Sequence, residues 1–410
     1  MHLLKFADDM VIVAPSQRAL QLKINQLEKF CRENCLIVNL TKTQVVVFRR
    51  GGRLPKDIIF TYKGLPIKIV NEYTYLGVTF SSSCLFRKAA EKFKTKGMSA
   101  LGSLWPILFK GKVENWDSHY QLFSSIAMST VLYASHIWGY PYADIIEQVQ
   151  TRFLKRIFHL DNRVANYAIR METSCTKLLS KIAKQMINFY IKVQLMDESR
   201  IAYKCMKALL VHLKPGQELN KYNWTSYIRD ILAVSNSQDL MMKPGAILSE
   251  KQRILLDFTD FLRNNDTMRA QSSLKHHYCH SLQEENRLIN LVNMPLAKLR
   301  LVAQTRLNNG RFYFRRHQTI LGASPYRHPV QQPEPESGSG LLRLYHRPDR
   351  RPDRARKPES GRGPGRLRLP HRPDHPRVMR EQMSGKVLLL ERPGALFTFQ
   401  ATLMSRLHGI

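Results

Sequence analysis

The sequence predicts an α+β protein in three zones: strands and one helix over residues 1–80, a series of helices over 81–324, and a disordered basic tail over 325–410. Three observations carry this. Short apolar runs separated by turn residues crowd the first eighty positions. Apolar residues then recur at helical spacing. Pro, Gly and Arg dominate the end, a composition that cannot bury a core.

Leu3–Phe6 and Met10–Val13 flank Ala7-Asp8-Asp9, which reads as a β-hairpin with an acidic tip. Ser16 can cap a helix, and Leu20, Ile24, Leu27 and Phe30 give it an apolar stripe, with Lys23, Lys29 and Arg32 outward. Asn39 to Lys42 reads as a turn. Val45–Phe48, Ile58–Phe60, Ile67–Ile69 and Tyr73–Phe80 read as strands, with a Lys63-Gly64 turn between the second and third. That is a hairpin, a helix and antiparallel strands, with the helix on one sheet face.

Helical patterns follow near 85–108, 118–138, 142–160, 176–196, 199–213, 222–235, 248–264 and 281–291. Pro106, Pro141, Pro215 and Pro244 punctuate them. Arg152, Lys155 and Arg156 are expected on an exposed face beside the stripe Ile145, Val149, Phe153 and Ile157. In the tail, Gly340–Asp349 recurs imperfectly as Gly365–Asp374. Two copies are too few for a solenoid.

Lys plus Arg number 64 and Asp plus Glu 32, a net charge of +32 across 410 residues. Nucleic acid is the leading partner for such a charge, because phosphate contacts release counterions. An anionic membrane surface is the weaker alternative. Six unpatterned Cys exclude a disulfide scaffold. No apolar run reaches the roughly 18 residues of a membrane span, and the first residues do not read as a signal peptide, so an intracellular setting is expected.

Adjacent carboxylates between buried strands conflict electrostatically unless a cation joins them. Mg²⁺ prefers carboxylate oxygens and keeps positions open for phosphate. A solvated Asp-Asp turn is the plain alternative. Two further motifs follow in order: Leu36-x-Val38-Asn39-x-x-Lys42-Thr43, then Tyr75-Leu76-Gly77-Val78.

The series Phe6-Ala7-Asp8-Asp9, Leu36 to Thr43 and Tyr75 to Val78 resembles the second half of a reverse transcriptase palm of the non-LTR (LINE-like) retrotransposon kind. Cys35 stands where that family usually has Gly. The resemblance implies that Asp8 and Asp9 are catalytic carboxylates that hold Mg²⁺. It implies that Lys42 holds a deoxynucleoside triphosphate or protonates pyrophosphate, unless it is a plain surface lysine. Tyr75, Leu76 and Gly77 would form the primer grip, or a strand in which Gly77 permits a bulge. Residues 81–324 would be the thumb and post-thumb region, gripping an RNA template and RNA–DNA hybrid by shape and phosphate. Arg306, Arg311, Arg315 and Arg316, interleaved with Phe312, Tyr313 and Phe314, suit single strands, or else end a basic amphipathic helix.

The family's upstream metal-binding Asp, nucleotide-binding segment and fingers have no counterpart here. The expectation is therefore a truncated polymerase, inactive as this chain, with the nucleus as its setting by family. A non-catalytic nucleic-acid-binding protein and the translation of a degenerate element are the alternatives. His276-His277-Tyr278-Cys279-His280 matches no zinc knuckle and reads as surface histidines. Cys31 and Cys35 read as packing.

Overall fold

A computed structural model of the chain describes residues 3–6, 9–49, 52–54, 57–112, 114–213, 222–273, 295–307, 382–383 and 389–390. Strands β1 (Leu3–Phe6) and β2 (Asp9–Ile12) pair antiparallel, with Phe6 opposite Asp9. Helix α1 (Gln17–Glu33) starts at Ser16, whose side chain accepts from the Ala19 amide at 3.3 Å. Its buried stripe is Leu20, Ile24, Leu27 and Cys31. Phe30, expected in that stripe, is 49 % exposed, because Cys31 continues the line and Phe30 is rotated one position off it. Lys23 is not wholly outward: its ammonium donates to the Val13 carbonyl at 2.6 Å, and burial lowers its pKa.

Six short strands follow: β3 (Ile37–Val38), β4 (Gln44–Val45), β5 (Val47–Phe48), β6 (Thr61–Tyr62), β7 (Leu65–Pro66) and β8 (Lys68–Ile69). The expected strand Ile58–Phe60 moves to Thr61–Tyr62, where the Gln21 amide exchanges hydrogen bonds with the Thr61 backbone at 2.8 and 3.0 Å. Lys63 and Gly64 turn this hairpin with φ +52° and +76°. Tyr73–Phe80 is a hairpin instead of one strand: β9 (Glu72–Tyr75) pairs with β10 (Val78–Ser81). Leu76 and Gly77 both take positive φ, +46° and +81°, the two-residue turn that matches strand twist.

The pairing is not all antiparallel, as β4 runs parallel to β8. β3 and β5 also pair in parallel, with β11 (Gln382–Met383) and β12 (Leu389–Leu390). Those two strands lie in the zone expected to lack structure; the Gly340 and Gly365 repeats lie outside the described residues.

The helices after the strands are α2 (Arg87–Lys110), α3 (Trp116–Phe123), α4 (Ser129–Val131), α5 (Ser135–Trp138), α6 (Ala143–Ile157) and α7 (Asn166–Thr173). They continue as α8 (Leu178–Gln194), α9 (Ile201–Val211), α10 (Trp224–Val234), α11 (Pro244–Gln271) and α12 (Leu296–Leu307). Pro106 does not end α2, since the carbonyl it leaves without an amide belongs to exposed Gly102 and faces water. The expected helix 118–138 is broken: a π-helical turn spans Ser124–Met128, and Ala134 is left-handed at φ +53°. Pro244 begins α11, as the fixed φ of proline suits a first turn. The expected helix 281–291 lies outside the described residues, α7 has no counterpart among the expected helices, and α12 puts Arg306 in its last turn, as the helix-end reading of that residue has it. At Gly97 an added Cβ would lie 2.2 Å from Val131 Cγ1, so this glycine sets how closely α2 and α4 approach.

Two cores result. Met10, Ile12, Ala14, Val45 and Val47 pack with the α1 stripe. Val11, Val13, Val46 and Phe48 belong instead to the core shared with α2 and the later helices.

A buried ionic cluster ties four helices together. Arg170 of α7 makes a bidentate pair with Asp266 of α11, both contacts 2.7 Å, and lies 3.6 Å from Glu147 of α6. Glu147 also accepts from the Leu178 amide at the start of α8 at 2.7 Å. Burial pushes the Glu147 carboxyl up to about 7, against the pull of that amide, Arg170 and Gln150. Removing one partner strands buried charge. Arg170→Ala is expected to destabilise the protein by about 3–5 kcal/mol in urea unfolding, with Arg170→Met costing clearly less.

Candidate metal centre and nucleic-acid interface

The hairpin β1–β2 places Asp9 at the end of its ladder, opposite Phe6. Asp8 lies outside the described residues. Asp9 is half-buried, while Met10, next to it, is 2 % exposed. The carboxylate therefore stands where the strand leaves the core.

Tyr75, at the turn end of β9, is 1 % exposed. Its hydroxyl has no hydrogen-bond partner among the described residues. Burial, with the Asp9 charge as the next cause, pushes its pKa up to about 12. A protonated phenol and a carboxylate thus share one neighbourhood, and an unmatched buried hydroxyl is a place for a ligand or water.

For a divalent cation, these are hard oxygen donors of the kind Mg²⁺ selects. They fall short in number, since among the described residues no three Asp, Glu, His or Cys side chains gather around one point. The described residues fit the metal in kind and do not complete its shell.

The Leu36 to Thr43 motif is built by two backbone devices. Helix α1 ends at Asn34, and Cys35 takes φ +55°. The Leu36 amide reaches the Cys31 carbonyl at 2.8 Å and the Cys35 amide reaches the Arg32 carbonyl at 3.4 Å, a Schellman closure. Cys35 is thus in the conformation that favours Gly, the residue the resemblance leads one to expect there. Asn39 Oδ1 then accepts from the Thr41 amide at 3.1 Å, the Thr41 hydroxyl at 2.7 Å and the Lys42 amide at 3.2 Å. Buried Thr43 returns a hydroxyl bond to the Asn39 carbonyl at 2.8 Å. Asn39 and Thr43 build the turn, and Lys42 stands exposed on it.

The Leu76-Gly77 turn rests on the helical region. The Tyr133 hydroxyl, 57 positions away, donates to the Leu76 carbonyl at 3.1 Å. Its ring lies 3.3 Å from where a Cβ on Gly77 would stand. No sequence pattern links these positions.

The expected cationic residues divide. Arg152 is exposed and bonds Asn162 Oδ1 at 3.1 Å. Arg156 is exposed and lies over the Trp105 ring at 4.4 Å. Lys155, expected outside, is 7 % exposed, and its ammonium donates to the Asn162 carbonyl at 2.8 Å. It closes the chain after α6, because its wheel position faces the core. Arg306 pairs with buried Glu172 at 3.2 Å, so its charge is matched within the fold. Arg311, Arg315, Arg316 and the histidines 276, 277 and 280 lie outside the described residues. Cys31 is buried and Cys35 exposed.

Among the described residues, no helix is long and apolar enough to cross a membrane. A family model described as reverse transcriptase (RNA-dependent DNA polymerase) matches residues 1–80. No curated protein and no solved structure matches the chain.

Cys35→Gly removes a left-handed Cβ at an exposed site. It is expected to stabilise the protein by about 0.5–1 kcal/mol, read as a higher urea midpoint at unchanged slope.

Proposed function

We propose that residues 1–80 are the metal-binding and primer-positioning part of the palm of a non-LTR retrotransposon reverse transcriptase. Residues 81–324 act as its thumb and post-thumb region on an RNA template and RNA–DNA hybrid at the chromosome. The observation that carries this reading is the hairpin that holds Asp9 at the edge of the core beside Tyr75, in a segment matched by the reverse transcriptase family.

Asp8 and Asp9 would hold Mg²⁺, which when bound activates a primer 3′-hydroxyl and steadies the leaving pyrophosphate. The chain's own residues do the positioning. Lys42, on its Asn39-braced turn, meets the triphosphate as a point charge. The Leu76-Gly77 turn, braced by Tyr133, sets the primer end against the hairpin. Exposed Arg152 meets backbone phosphate, exposed Arg156 meets nucleic acid on the same helix, and a charge of +32 supports strong, salt-sensitive binding.

By itself the 410-residue chain does not polymerise. Phosphoryl transfer is almost entirely positioning and charge stabilisation, and among the described residues no third acidic side chain gathers to complete a two-metal site. On this reading the chain binds nucleic acid without extending a primer.

In a primer-extension assay with Mg²⁺ or Mn²⁺, the chain is expected to retain a primed RNA template on a filter at low salt and to add no nucleotide. Retention should fall steeply between 50 and 200 mM salt. Extension that disappears on Asp8→Ala would overturn the inactive assignment, and no retention at any salt would overturn the nucleic-acid reading.

A further inference from the structure

A cleft of about 410 Å³ opens where the end of α2, the start of α12 and the C-terminus of α6 meet, away from the three motifs of residues 1–80. Its floor is apolar, made by Trp105, Leu108, Ile157 and Leu296. Lys112, Arg156 and Arg300 line it, against one acid, Glu114. The size lies in the range of pockets for single small ligands, roughly 300–1,000 Å³, and is too small for a double helix.

The cations are held by the fold. Arg156 lies over Trp105 at 4.4 Å, so the indole supports one face of the guanidinium plane. Arg300 Nε donates to the Ile157 carbonyl at the end of α6 at 2.8 Å, which fixes where its guanidinium stands. Next to it, His159 takes φ +52°, and its amide reaches the Arg156 carbonyl at 3.2 Å. His119 is 2 % exposed and bonds the Asn115 carbonyl through Nδ1 at 2.7 Å. Burial lowers the pKa of both His119 and His159, with the Arg300 charge adding to it and the Asn115 bond opposing it at His119, so the charged form of each ring is disfavoured. At the mouth, Phe109 is 64 % exposed although the cleft beside it is apolar.

An apolar slot with an exposed ring, an arginine plane and a surplus of cations selects a flat, anionic ligand. We propose that this cleft binds one unpaired nucleotide of a single strand, with its base against Phe109 and Arg156 and its phosphate on Lys112 and Arg300. The proposal rests on the nucleic-acid reading above and adds a strand-selective site to it. Bases stack on aromatic rings and arginine planes only when unpaired. Glu114 is placed among the lining to accept from an exocyclic amino group.

The test uses the full chain and two probes: a ten-nucleotide single-stranded RNA carrying 2-aminopurine, and an RNA–DNA hybrid of equal length. The expected result is that Phe109→Ala and Lys112→Ala, both at exposed positions, each weaken single-strand binding about tenfold. They should also restore 2-aminopurine fluorescence and leave hybrid affinity within about twofold. Equal losses on both probes, or no loss on either, would overturn the cleft assignment while the wider reading stands. Binding of the hybrid but not of the single strand by the unaltered chain would do the same. Binding of neither probe would overturn both readings. Adenosine 5′-monophosphate binding as tightly as the ten-mer would overturn the assignment to a strand.

Discussion

The constraint on which the rest depends is that strand β2 is buried on both faces. Met10 and Ile12 face the α1 core, and Val11 and Val13 face the core of the later helices. Fully burying each such side chain contributes about 1.5–3 kcal/mol. Two like charges 4 Å apart in water cost about 1 kcal/mol. Packing therefore decides where Asp9 stands, whatever its carboxylate prefers. A slip of one residue would exchange the two faces, so the register cannot drift. Val45 to Phe48 repeats this pattern, with Val45 and Val47 on one side and Val46 and Phe48 on the other.

This double burial explains what the sequence made legible. Continuous apolar runs such as Met10–Val13 mark strands covered on both sides, and they identified the hairpin. Helices with a regular stripe, α1, α6 and α8, were found within a few residues of their ends. What was missed depends on partners distant in sequence. The turn at Leu76-Gly77 is braced by Tyr133, and β3 to β5 find partners far along the chain or in register positions that alternation does not encode. The helix expected over 118–138 breaks at Ala134, a residue with no turn chemistry of its own. Lys155 reads as a surface charge because a basic residue beside a stripe usually is one, and Arg306 reads as a cation for single strands or a basic helix end. The structure uses the first to close a loop and the second to match buried Glu172.

The charges thus serve two purposes. Arg170, Lys155 and Arg306 stabilise the helical region from within, joining α6, α7, α8, α11 and α12 through carboxylates and carbonyls. Arg152, Arg156 and Lys42 stay at the surface, where phosphate can reach them. The Asn39 motif divides in the same way: its spacing to Lys42 and Thr43 is a turn made of hydrogen bonds, and the lysine side chain stays exposed on it.

The central claim is the proposal that the β1–β2 hairpin holds Asp9, with Asp8 next to it in sequence, for a divalent metal. Mn²⁺ titration of the methyl-labelled chain, followed by paramagnetic broadening, tests it most directly. The account predicts that Met10, Leu4 and Val78 methyls broaden first, and that the Asp8→Asn, Asp9→Asn double variant abolishes this. Broadening scattered over other surface carboxylates, or unchanged in the double variant, would contradict it.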